Sequence, residues 1–181
     1  MCTIGGNAFA HVPNIQAITE RDRNAMPPRF QLVIDCTNPD LLARFWAAAL
    51  GYVLEPPPEG FDTWDDWRRD IGLPDEYLGI GADSIVDPSG AGPRIWFRLE
   101  PEPKVVKNRF HFDLHASSDR WTVVSGRSIP RAARKERVDA EAKRLADLGA
   151  TITGVLGGDD EESDHYAVGM RDPEDNEFDI N

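Results

Sequence analysis

The chain holds four histidines, and two of them alternate with a carboxylate as His111, Asp113 and His115. Residues at i, i+2 and i+4 of an extended strand share one face. A histidine beside a carboxylate is a tuned proton acceptor, and the same atoms ligate divalent cations. His111 and Asp113 are therefore the candidate catalytic pair, with a plain hydrogen-bond network as the alternative. The same alternation puts Gln31 and Asp35 on one face of the run Arg29–Asp35. It puts Arg94, Trp96 and Arg98 on one face of the run after Pro93, and Glu177 and Asp179 on one face near the C-terminus. Gln31, Asp35, Arg94, Trp96, Arg98, His115 and Glu177 are the candidate substrate-binding set. Such faces are often merely solvated, so the set has meaning only if the fold encloses them.

Stepping along the chain shows which elements would do so. Arg29–Asp35 is rich in β-formers and reads as a strand, with Phe30, Leu32 and Ile34 facing the core. Asn38-Pro39 starts a helix: Asn caps it, and Pro at its first position loses no donor. Leu41, Leu42, Phe45, Trp46, Ala49 and Leu50 form its apolar stripe, and Gly51 ends it. Residues 55–78 read as an insertion, broken by Pro56-Pro57-Pro58 and holding a short helix with Trp64, Trp67 and Ile71. The two tryptophans suit either a lid or a satellite core. Strands are expected near 79–86 and 94–99.

The pattern then recurs. Arg109–His115 reads as a strand with Phe110, Phe112 and Leu114 facing inward. A helix follows near 131–148, with Val138, Leu145 and Leu148 apolar, then strands near 151–156, 165–171 and 177–180. Phe30-Gln31 lies 80 residues before Phe110-His111, and Asp87-Pro88 lies 85 residues before Asp172-Pro173. Two such halves can cover one another's open sheet face, which favours a pseudo-symmetric α+β domain.

Composition excludes several classes. With 20 basic and 32 acidic residues the net charge is −12, which repels phosphate backbones and anionic lipid. No nucleic-acid or membrane partner is expected, and no apolar run has a membrane span's length. Residues 1–28 lack periodicity and read as a mobile, dispensable extension. The opening residues resemble no secretory leader, and two cysteines, Cys2 and Cys36, build no disulfide framework, so the cytoplasm is the expected compartment. Cys36 has no basic neighbour and is expected to be inert. Asp159–Asp164 reads as a solvated loop, and neither Gly5-Gly6 nor Gly157-Gly158 has the context of a phosphate loop. His165 is expected to be an ordinary strand histidine. Sixteen of the 20 basic residues are Arg, a bias that hints at a GC-rich bacterial genome.

Three segments carry a resemblance: Asp35-Cys-Thr-Asn-Pro-Asp-Leu-Leu-Ala-Arg-Phe-Trp46 with Leu50-Gly51-Tyr52, Pro101–Asp113, and Leu148-Gly-Ala150 with Arg171–Phe178. They resemble the vicinal oxygen chelate superfamily of glyoxalase I, bleomycin-resistance proteins and extradiol dioxygenases, nearest its bacterial glyoxalase-like branch. The resemblance implies two tandem βαβββ modules, about 29–100 and 109–181, forming a curled mixed sheet around a cleft lined by the polar faces. Metal-dependent members carry ligands on the first and last strands of each module. The matching positions are Gln31, Trp96, His111 and Asp179. Trp96 cannot ligate, so the candidate metal set is Gln31, His111 and Asp179. The expected cleft is metal-free, with nickel, zinc, iron or manganese as the alternative. The implied activity is that of a lyase or isomerase on a small oxygenated organic molecule, with a non-catalytic drug- or metabolite-binding protein as the second reading. The chain would act as a monomer or homodimer.

Overall fold

Asn38 and Pro39 do what their types require. The Asn38 side chain accepts a hydrogen bond from the Leu41 N–H at 3.1 Å, and Pro39 opens helix α1, Pro39–Leu50. Gly51 ends the helix with φ of 69°, a left-handed backbone that suits glycine. The computed structural model describes residues 29–117, 130–157 and 166–181. The expected extension 1–28, the Asp159–Asp164 loop, His165, Cys2, Gly5-Gly6 and Gly158 all lie outside the described residues.

The first module comprises β1 Leu32–Cys36, α1, β2 Val53–Leu54, α2 Trp64–Asp70, β3 Ser84–Val86 and β4 Ile95–Leu99. The second comprises β5 Asp113–Leu114, α3 Arg131–Asp147, β6 Thr151–Leu156, β7 Ala167–Arg171 and β8 Glu177–Ile180. Each module forms a four-stranded mixed sheet, ordered β1-β4-β3-β2 and β5-β8-β7-β6, with its first and last strands parallel. The fold is α+β, as expected, and the strands do not close into a barrel. Register supports the internal repeat: Val33 pairs with Trp96 in one sheet, and Asp113 with Asp179 in the other. Trp96 and Asp179 are thus structural counterparts.

Four expectations need correction. β1 begins at Leu32, where its N–H meets the Arg94 carbonyl, and not at Arg29. β5 is only Asp113–Leu114: backbone bonding to β8 reaches back to the Phe112 carbonyl, which accepts from the Asp179 N–H, and farther upstream the Asn108 N–H donates to the Glu177 side chain. Alternation has no force outside a ladder, so Phe30 and Phe110 are not core residues and stand 74% and 90% exposed. Leu41 and Leu148 also lie outside the core, at the helix ends where the stripe has rotated away. Finally, residues 79–83 are not strand. Gly79 and Gly81 hold left-handed backbones, and the N–H groups of Gly79 and Ala82 donate to Asp65 and Asp40.

The core joins the modules. Trp46 is fully buried, with its ring edge-on to Phe45, Phe112 and Phe178 at centroid distances of 5.2, 5.0 and 5.1 Å. Its indole N–H donates to buried Asp172 at 3.0 Å. Glu174 accepts from the Thr37 and Asn38 N–H groups and the Thr37 hydroxyl, so the second module's Asp-Pro-Glu turn grips the start of α1. In the insertion, buried Arg68 pairs with Asp65 at 2.9 Å and Asp83 at 3.1 Å. Trp64 and Trp67 pack edge-on at 5.4 Å, and the Trp64 indole donates to the Glu55 carbonyl, the satellite-core alternative of the two.

Candidate functional site

The gap between β1 and the segment 108–112 holds a recess of about 310 Å³. Its walls are Leu32–Asp35 and Trp46 from the first module, and Asn108–Phe112, Asp172, Asn176 and Glu177 from the second. Leu32, Ile34, Trp46 and Phe112 make the apolar side. Its polar groups have distinct supports. Asp172 accepts from the Trp46 indole, the Asn176 side chain and the N–H groups of Glu174 and Asn176. Burial still holds its carboxyl above the usual carboxylate range, against those hydrogen bonds. Partial burial pushes the Glu177 carboxyl up, but the Asn108 N–H, Lys104 and its own backbone N–H outweigh that and pull it down to about 2.

His111 lies in the recess wall, and its Nε2 is 3.4 Å from Asp113 and 3.7 Å from Asp179. Nitrogen and carboxylate oxygens of these three residues all fall within 4.8 Å of one another. Those separations suit two or three ligands on one ion, and the nitrogen and oxygen donors suit a divalent first-row metal. The candidate set that the fold brings together is therefore His111, Asp113 and Asp179. Gln31 belongs to another group: its amide oxygen accepts from Arg94 at 2.8 Å.

The remaining candidates separate into pairs. Arg94 also meets Glu55 and the Ser84 hydroxyl, so its guanidinium is fully engaged. Arg98 pairs with Asp35 and Glu100, each at 3.0 Å. Trp96 is half-buried beside Val33. His115 Nδ1 meets the Asn181 side chain, and the residue does not line this recess. Cys36 is buried, and burial, with Glu174 nearby, pushes its thiol to about 12, in keeping with an inert residue. Sequence reasoning overlooked Asn108, Arg109, Asp172 and Asn176 as lining residues. Strand alternation cannot find groups on irregular backbone, although the Asp172–Asn176 turn was visible as a motif.

A family model described as a glyoxalase-like domain matches residues 31–181. No curated protein matches the chain. Among solved structures, a glyoxalase/bleomycin resistance protein/dioxygenase family enzyme from Burkholderia phytofirmans is 15% identical, covering 83% of this chain and 94% of that one, with TM-score 0.47. A protein of the same description from Alicyclobacillus acidocaldarius is 15% identical over 84% and 89%, with TM-score 0.43. The fosfomycin resistance protein FosX from Listeria monocytogenes is 9% identical over 86% and 93%, with TM-score 0.47. With the family model spanning both modules, the chain belongs to the glyoxalase-like domain family.

Proposed function

We propose that the protein is a lyase or isomerase of the glyoxalase type, acting on a small oxygenated organic molecule in the recess between its modules. The observation that carries this reading is the cluster of His111, Asp113 and Asp179, whose histidine lies in the recess wall. His111 accepts a proton from the substrate, and the adjoining carboxylates stabilise the imidazolium that results. Leu32, Ile34, Trp46 and Phe112 would exclude water from one side of the substrate, and Arg109, also in the wall, would offer a cation to a developing oxyanion. In the alternative, the same three residues would hold a divalent metal that polarises vicinal oxygens as a Lewis acid, with His111 then a ligand and not the base.

A second reading, non-catalytic binding of a drug or metabolite, is favoured by one observation. Arg94 and Arg98 are both held by carboxylates, so neither is available to a substrate oxyanion without losing its partner. Either reading places the protein with a small-molecule partner. Among the described residues no helix is long and apolar enough to cross a membrane.

Metal analysis of protein purified without chelator, with titration of manganese or zinc into the His111→Ala variant, tests the assignment. Stoichiometric metal lost in the variant supports the enzyme. Metal absent from the wild type, together with ligand-induced stabilisation that survives the substitution, supports the binder.

A further inference from the structure

The internal repeat does more than duplicate a fold. A second recess, of about 510 Å³, lies at the opposite end of the gap between the modules. The first is walled by Leu32, Val33, Ile34 and Asp35, and the second by Phe112, Asp113, Leu114 and His115. These are the same four positions, moved by the 80-residue offset of the repeat. Leu32 and Phe112, equivalent under that offset, line both recesses. The two are therefore counterparts related by the repeat, and the same packing that opens one opens the other.

Their linings differ. Ala49, Gly92, Pro93 and Ala116 are small and leave the second recess the larger, while Leu50, Ile95 and Leu114 give it apolar walls. Its polar groups are the Tyr52 hydroxyl, Asp113, His115 and Glu141. Glu141 is neutralised by Arg144 at 2.6 Å, whereas Asp113 pairs, among the described residues, with the His111 imidazole alone. The charge the recess offers to a ligand is thus a carboxylate, at the edge of an apolar cavity of drug-fragment size. The Tyr52 hydroxyl sits against Gly92, whose missing side chain makes room for it: a Cβ there would lie 1.9 Å from the oxygen.

We infer that this second recess is a binding site for an apolar, aromatic-sized organic cation, with the ring system against Leu50, Ile95, Phe112 and Leu114 and the ammonium at Asp113. The site adjoins the His111 recess and shares Asp113 with the cluster proposed to act there, so a metal on that cluster would compete with the ammonium, and the test is run on metal-free protein.

The test uses the full chain with 13C-labelled Ala, Leu, Ile and Val methyl groups and the probe 1-naphthylmethylammonium. The expected result is saturable shifts of the Ala49, Leu50 and Ala116 methyls, with the neutral 1-naphthalenemethanol binding about tenfold more weakly. Ala49→Phe, which fills the recess, should weaken the probe by about tenfold or more. Should that variant fail to fold, Ala116→Phe fills the opposite wall and carries the same expectation. The inference is overturned if those methyls do not move at about 5 mM probe, or if only Val33 and Ile34 move. It is also overturned if the alcohol binds as well as the amine, or if a folded filled variant retains full affinity.

Discussion

Val33 and Asp113 occupy the same place in two copies of one motif, and so do Trp96 and Asp179. In the first module this pair is an aliphatic side chain beside an indole. In the second it is two carboxylates with His111 alongside. The first module's charged groups are consumed internally: Arg94 by Glu55, Gln31 and Ser84, Arg98 by Asp35 and Glu100, and Arg68 by Asp65 and Asp83. The second brings His111, Asp113 and Asp179 together, and among the described residues no Lys or Arg pairs with those two carboxylates. One backbone plan thus carries two side-chain sets: one half is braced by internal ion pairs, and the other gathers the residues proposed to do chemistry.

The largest effect should come from removing what joins the halves. Trp46→Ala deletes a buried ring and leaves Asp172 without its indole donor, and should cost about 3–5 kcal/mol in denaturant unfolding. A loss below about 1 kcal/mol would mean that the modules are coupled elsewhere. Within the first module, Arg68→Ala strands Asp65 and Asp83 and should cost about 2–3 kcal/mol, somewhat less than a fully buried pair because both carboxylates keep some solvent. If brace and chemistry are truly divided, this variant keeps ligand affinity once refolded at low temperature.

The contrast sharpens at the counterpart positions. His111→Ala should lower affinity or turnover by about tenfold or more, equivalent to about 1.4 kcal/mol, with the melting temperature nearly unchanged because His111 is half exposed. Trp96→Phe, in the braced half, should change affinity by less than about threefold. Equal losses from the two substitutions, read by calorimetry, would erase the distinction between the halves.

The smallest effects concern acid. Glu177 has its folded pKa depressed to about 2, so its stabilising share is present above its ordinary value and is lost as pH falls from about 4.5 to about 2. Asp172 has the opposite sign. Its folded pKa is raised, so its share is whole below the ordinary carboxylate value and is lost as pH rises through the folded one. Melting temperature followed from pH 2 to pH 7 should therefore flatten on the acid side in Glu177→Gln, whereas Asp172→Asn should remove the decline toward neutral pH while lowering stability throughout, because its NH2 would face N–H donors that a carboxylate oxygen accepts. Unchanged profiles would show that neither group is linked to folding.

Much of the frame was readable in advance. Asn38-Pro39 and Gly51 bound a helix through their own backbone preferences, and the 80-residue repeat survived into strand register. The site was read less well, for a physical reason. Alternation sorts side chains only where a ladder holds the backbone, and upstream of Asp113 the ladder is missing, so Phe110 was placed inward and Asn108 and Arg109 were overlooked. Gln31 fell to Arg94 because a guanidinium two elements away competes for an amide oxygen, which no single-strand pattern reveals.

The grip of Glu174 on Thr37 and Asn38 spans 137 residues of sequence for its bond to the Thr37 N–H. During synthesis the first module emerges long before that carboxylate exists. Its helix must wait with two of its leading N–H groups bonded only to water. The nascent protein is therefore a half-finished object whose earliest helix is fastened by one of its latest residues. Loops lengthened between the modules would lengthen that delay, leaving the finished structure alone while slowing its arrival.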